Sequence, residues 1–196
     1  MVLDFIKIRR TIRKYKKDMP DRKVLDEIYS AIRDVLSYYP IPFKLYVLYG
    51  NAREEAVKVM RLNYSAVKDL AILGKIAPEE VKPYLENLMK EFLKDLGGAP
   101  ITLIGLTKLY DWMDKNWPED RVYNFKVSWM ISQIIMLVAK KNGLDTGSFT
   151  FSNITVEKEM LEFLGERELN IAFALNLGYA DENPIPKEVE WKVVEM

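Results

Sequence analysis

The chain has 196 residues, 29 Lys and Arg against 29 Asp and Glu, no Cys and no His. That length suits one domain with a real core. The missing residue types exclude disulfides, thiol or imidazole catalysis, zinc fingers and Cys-ligated iron–sulfur sites. A formal net charge of +0, with 49% hydrophobic and 12% aromatic residues, fits a folded globule and speaks against a nucleic-acid partner.

Val2 to Ile8 carries apolar residues at helical spacing and predicts a short helix. It runs into a basic cluster. Between Met1 and Lys17 stand seven Lys or Arg (Lys7, Arg9, Arg10, Arg13, Lys14, Lys16, Lys17) and one acid, Asp4. Guanidinium forks with a short hydroxyl, Thr11, in their midst suit a phosphate or another compact anion. The competing reading is a solvated basic patch. Asp18 to Asp21 then predicts a turn into a helix with one buried stripe of Val24, Leu25, Ile28, Ile32, Val35 and Leu36.

Pro40 and Pro42 break that helix. Phe43 to Tyr49 predicts a strand ended by Gly50-Asn51, and Ala52 to about Leu73 is helical in composition. A second helix is expected from Pro78 toward Leu96, stopped at Gly97-Gly98 and followed by a buried strand from Pro100 to Leu106. Tyr110 to Trp117 reads as a lid, an interface loop or packed surface.

From Arg121 or Val122 a helix is predicted to about Lys141. Its centre, Ile131 to Ala139, is apolar almost all round, which implies a helix with no solvent face and hence a dimer built around it. Asn142-Gly143 caps it. An extended piece in Leu144 to Phe151, a short helix from Thr155 to Leu164, and a strand from Leu169 to Leu177 follow. The segment Asp181 to Met196, with Val189, Trp191, Val193 and Val194, needs a sheet edge to join. Helices between the strands imply an α+β layer arrangement with a mixed or parallel sheet. The expectation is one domain over residues 1–180, with residues 181–196 as an extension packed on a dimer partner. No secretory leader pattern and no apolar run of 18 residues is visible, so a cytoplasmic location without a membrane partner is expected.

Four places in this order resemble the FMN-dependent nitroreductases. They are Arg9-Arg10-Thr11-Ile12-Arg13 with Pro20, the Pro40 to Tyr49 loop and strand, the Val127 to Leu137 helix with Gln133 leading to Gly143 and Gly147, and Leu177-Gly178-Tyr179-Ala180 before Pro184, Pro186 and Lys187. The resemblance implies a nitroreductase-like α+β fold, a central mixed sheet flanked by helices, in an intertwined homodimer with two FMN sites at the subunit interface. It assigns the flavin phosphate to Arg9, Arg10, Thr11 and Arg13, and the isoalloxazine ring to Ser148, Phe149, Thr150 and Phe151. Lys187 or Lys192 matches a basic residue that returns to the phosphate. Electrons are expected to pass from NAD(P)H through FMN to a nitroaromatic, quinone or related acceptor by a ping-pong route. That needs few protein side chains and no metal, so no side chain is singled out as catalytic.

The chain also departs from the family pattern. The flavin-binding loop before the first strand is shortened to Ser37 to Phe43, where Ser37 and Pro42 alone match. The alternative reading is therefore a dimer of the same fold that has lost catalysis and binds a flavin or another small ligand.

Overall fold

A computed structural model of the chain describes residues 9–62, 94–109, 119–149 and 154–184. The expected helix at Val2 to Ile8, the helix from Pro78 as far as residue 93, the Tyr110 to Trp117 segment and the tail from 185 lie outside the described residues, as do Thr150, Phe151, Lys187 and Lys192.

The first described helix, α1 (Arg22–Tyr38), starts where Asp21 uses its side chain to accept the Lys23 N–H at 2.9 Å. Such a cap contributes about 1 kcal/mol. Its stripe of Val24, Leu25, Ile28 and Ile32 is buried, as the three- and four-residue spacing predicts. Strand β1 (Phe43–Tyr49) has the expected bounds. Gly50 does not merely end it: with φ of +52° it turns the chain straight into α2 (Gly50–Leu62). A 3-10 turn at Leu96–Gly98 leads to β2 (Ile101–Thr107), buried along its whole length.

Helix α3 (Glu119–Lys141) ends in a Schellman motif around Gly143, whose φ is +74°. The Gly143 N–H reaches the Lys140 carbonyl at 3.1 Å and the Leu144 N–H reaches Ala139 at 2.9 Å. Strand β3 (Asp145–Phe149), helix α4 (Ile154–Phe163) and strand β4 (Asn170–Gly178) complete the described elements.

The strands form one sheet in the order β1-β2-β4-β3, and each neighbouring pair is antiparallel. Helices between consecutive strands thus do not impose parallel crossovers here; the connection from β3 through α4 brings the chain back antiparallel to it. Among the described residues the parallel contact is a single bridge, Thr11 to Thr146, at the outer margin of β3. Helices α1 and α3 cover one face, where Ile28, Ile32, Leu103, Ile131, Ile135 and Leu175 form one apolar cluster. The other face carries α2 and α4, with Val57, Met60, Leu96, Ile104, Leu106 and Met160. Truncating a fully buried member such as Leu103 or Ile135 to Ala costs about 2–5 kcal/mol. A bulge between Gly105 and Leu106 lets the Phe173 ring lie across Gly105, where an added Cβ would meet it at 2.3 Å.

By length and composition α3 could cross a membrane. Its Val127, Ile131, Ile135 and Ala139 are instead buried against the sheet. The opposite side of α3 is open in the single chain. Tyr123 is 43%, Phe125 38% and Trp129 37% exposed, whereas in the centre from Ile131 to Ala139, expected to have no solvent face, every residue but Gln133 is buried or half-buried.

Candidate functional site

The basic segment from Arg9 to Lys17 crosses one end of the sheet as a strap without helix or regular strand. Ile12 anchors it. Its side chain is 2% exposed, its N–H donates to the Thr146 carbonyl at 3.1 Å, and its own carbonyl accepts from the Tyr15 hydroxyl at 3.0 Å. In an extended segment neighbours of a buried residue face away from it, and Arg13 is exposed while Thr11 is half-buried.

Two glycines make room for the strap. A Cβ on Gly147 would fall 2.0 Å from the Ile12 carbonyl oxygen, and a Cβ on Gly97 would fall 2.0 Å from that of Arg13. Gly97 also has φ of +74° and accepts the Tyr15 N–H at 2.9 Å. Beyond Arg13 the strap pairs with the chain leaving β4. Tyr15 bridges Ala180, Lys16 donates to the Tyr179 carbonyl at 2.9 Å, and Asp181 donates to the Lys14 carbonyl at 2.9 Å. The Glu182 carboxylate accepts the N–H groups of Arg13, at 2.5 Å, and of Lys14, at 3.2 Å.

Beneath the strap lies a buried polar layer. Asn176 accepts from the Thr102 hydroxyl at 2.9 Å and donates to the Leu96 carbonyl at 2.8 Å, which ties the glycine turn to the sheet. Arg53, 9% exposed, donates to the Asp95 carbonyl at 2.5 Å, while its Nε has no partner among the described residues. Burial lowers the pKa of this guanidinium, against the pull of Asp95. Burial likewise pushes the Tyr15 phenol well above the usual tyrosine range, with Asp145 and Glu182 adding to it, so the hydroxyl remains a proton donor in alkaline solution. Lys140 and Asp145 pair at 2.7 Å with both side chains largely buried, joining the end of α3 to the start of β3.

The bridge at Thr146 sets the strap two residues from Ser148. Ser148 and Phe149 line a cavity of about 300 Å³ together with Trp129, Ser132, Met136 and Phe173, near the lower bound of roughly 300–1,000 Å³ for small-molecule sites. It is a notch between α3, α4 and the end of β3. The Thr146 hydroxyl, in a residue 2% exposed, has no hydrogen-bond partner among the described residues.

Arg9, Arg10, Thr11, Arg13, Ser148 and Phe149 are therefore brought to one margin of the sheet. Arg10 donates to the Arg9 carbonyl at 2.7 Å. Ser37 and Pro42 are not brought there. Ser37 lies exposed in α1 and donates to the Asp34 carbonyl at 2.7 Å. The Pro42 carbonyl accepts from Thr107 at 2.6 Å, at the end of β2 away from Ile101, and Pro42 lines a separate groove with Lys108, Glu166 and Arg167. The six residue steps between the two ends of β2 span about 20 Å.

Sequence reasoning missed Tyr15, Gly97, Gly147 and Glu182 as parts of this site. Gly97 was visible as a helix stop and Gly147 as part of an extended piece. Neither reading says what the missing side chain makes room for.

The model of the Nitroreductase family matches residues 6–179. The chain belongs to the nitroreductase family. Solved nitroreductases share its fold over nearly their full lengths. A nitroreductase-like family protein from Bacillus cereus is 16% identical, covering 100% of this chain and 97% of its own with a TM-score of 0.65. The FMN-dependent nitroreductase NfnB from Mycobacterium smegmatis, solved with NADPH, is 14% identical with 98% of both chains covered and a TM-score of 0.68. Iodotyrosine deiodinase, solved with FMN and 3-iodo-L-tyrosine, is 19% identical, covering 100% of this chain and 98% of its own, with a TM-score of 0.65. No curated protein matches the sequence.

Proposed function

We propose that this nitroreductase-family chain is an FMN-dependent oxidoreductase that passes electrons from NAD(P)H to a nitroaromatic, quinone or related acceptor. One observation carries the reading: the Thr11–Thr146 bridge sets a strap of phosphate donors beside the strand end that opens on the cavity. The residues fit the group. Arg9, Arg13 and Thr11 offer charged and neutral donors for a phosphate monoester, Gly147 leaves the strap its seat, and Ser148 with Phe149 borders the space for a ring. Neighbours solved with FMN or NADPH support the same choice.

When bound, FMN would supply two-electron transfer, and with solvent providing the protons that accompany it the reaction would ask for no nucleophile or imidazole from a chain that lacks His and Cys. Arg9, Thr11 and Arg13 would hold the FMN phosphate, while Ser148 and Phe149 with Trp129, Met136 and Phe173 would border its ring. The partner in this reading is a second copy, seated on the open side of α3. The exposed Tyr123, Phe125 and Trp129 support that arrangement. So does β1 at the margin of the described sheet, which offers a strand to join to the partner's extension beyond the Asp181 and Glu182 contacts with its own strap.

An absorbance spectrum of the purified protein, with mass identification of the released chromophore, tests the cofactor. One FMN per subunit is expected, and a colourless protein that refuses added FMN would sink the proposal. Trp129→Glu is expected to yield monomers by analytical ultracentrifugation. A second reading, a flavin-binding protein without turnover, is favoured by the shortened Ser37 to Phe43 loop, where Ser37 and Pro42 alone match the family pattern. NAD(P)H oxidation with menadione at about 1 s⁻¹ or faster rules it out.

A further inference from the structure

We infer that Tyr15, with Glu182 as a second clamp, is a positioning residue that holds the strap in the shape needed to grip a phosphate monoester. This rests on the flavin reading above. The Tyr15 ring is 5% exposed and lies outside the cavity, so it does not touch a ligand there. Its hydroxyl donates to the Ile12 carbonyl at 3.0 Å and lies 2.8 Å from where a Gly147 Cβ would stand. Thr146 holds the Ile12 N–H at 3.1 Å from the other side.

Ile12 is thereby held at both of its backbone polar groups, and its neighbours Thr11 and Arg13 are the two residues turned outward. A free strap would have to be ordered when the ligand binds, at an entropic cost for each residue fixed. The Tyr15 bond places that ordering in the folded protein. Glu182 acts on the next turn of the same strap, through the N–H groups of Arg13 and Lys14. Tyr15→Phe removes the hydroxyl and keeps the ring. Glu182→Ala removes the accepting oxygen, while Glu182→Gln keeps an accepting oxygen and drops the charge.

The test is equilibrium titration of the full-length, flavin-free protein and each variant with FMN and with riboflavin, which lacks the phosphate. Tyr15→Phe is expected to weaken FMN binding about 5–10-fold and to leave riboflavin within about twofold. Glu182→Ala is expected to act in the same direction, and Glu182→Gln to bind FMN as tightly as the parent. Equal losses for both flavins, or an unchanged FMN-to-riboflavin ratio in the Tyr15→Phe protein, would overturn the inference. Should Tyr15→Phe fail to fold, the Glu182 pair decides: an unchanged ratio in Glu182→Ala overturns it. A parent that binds neither flavin overturns the flavin reading and this inference with it, a result distinct from a parent that binds FMN and variants that match it.

Discussion

The strap and the Ser37 to Pro42 segment are both short, irregular stretches that resemble flavin-binding elements, yet they are held in different ways. Thr146, Gly97, Tyr179, Asp181 and Glu182 all hydrogen-bond the strap's backbone, so residues distant in sequence dictate its path. The Ser37 to Pro42 segment has fewer such ties, one of them from Thr107, 65 residues further along the chain. Ser37 bonds within its helix, two prolines set the exit, and Thr107 reaches the Pro42 carbonyl. A segment held from several sides can present donors in a fixed array, whereas one with few ties mainly joins two elements.

The sharpest way to break this contrast is Gly97→Ala. It adds a Cβ 2.0 Å from the Arg13 carbonyl and forces a side chain onto φ of +74°. A loss of about 2–5 kcal/mol is expected from left-handed strain and overpacking, seen as roughly 10 °C in a thermal melt. An unchanged Tm would show that the strap does not sit on the glycine turn.

Arg9→Ala with Arg13→Ala comes next. It is expected to weaken FMN by at least about 100-fold while riboflavin binding and Tm hold steady, since charge-assisted hydrogen bonds contribute about 1.5–3 kcal/mol each. Calorimetric titration with both flavins checks it, and equal affinity for FMN in parent and variant would detach the phosphate from the strap. Asn176→Ala, which leaves the Leu96 carbonyl without its buried donor, is expected to cost about 1–3 kcal/mol in a denaturant melt.

At the Pro42 end the expected effects are smaller. Lys44 pairs with Glu166 at 2.6 Å, and that hydrogen bond, with the N–H groups of Glu168 and Arg167, holds the carboxyl below its ordinary 4.5. The folded chain therefore gives up this proton more readily than the unfolded chain. The resulting stability is complete above pH 4.5 and is lost as pH falls through the depressed folded value. Glu166→Gln is expected to flatten that part of the acid limb in melts recorded from pH 4.5 downward, the side on which the folded value lies. Ser37→Ala is expected to change least, within about 0.5 kcal/mol in stability and about twofold in FMN affinity. A larger loss of FMN would return Ser37 to the site and weaken the contrast between the two segments.

Local patterns settled much of this protein. The stripe of α1, the bounds of β1, the apolar stretch of α3 and the Asn142-Gly143 cap depend on neighbours three or four residues away, or on one glycine, so they are legible in sequence. The basic cluster and its Thr11 were legible for the same reason. What only the tertiary structure decided is where that cluster sits and what holds it there. The register Thr11–Thr146, the seats at Gly97 and Gly147, and the clamps at Tyr15 and Glu182 join residues separated by up to 169 positions. No periodicity encodes such pairings, and a glycine in a strand does not name the backbone that will cross it. The antiparallel sheet was hidden likewise, because strand direction depends on where a connection returns and not on the composition of the helix within it.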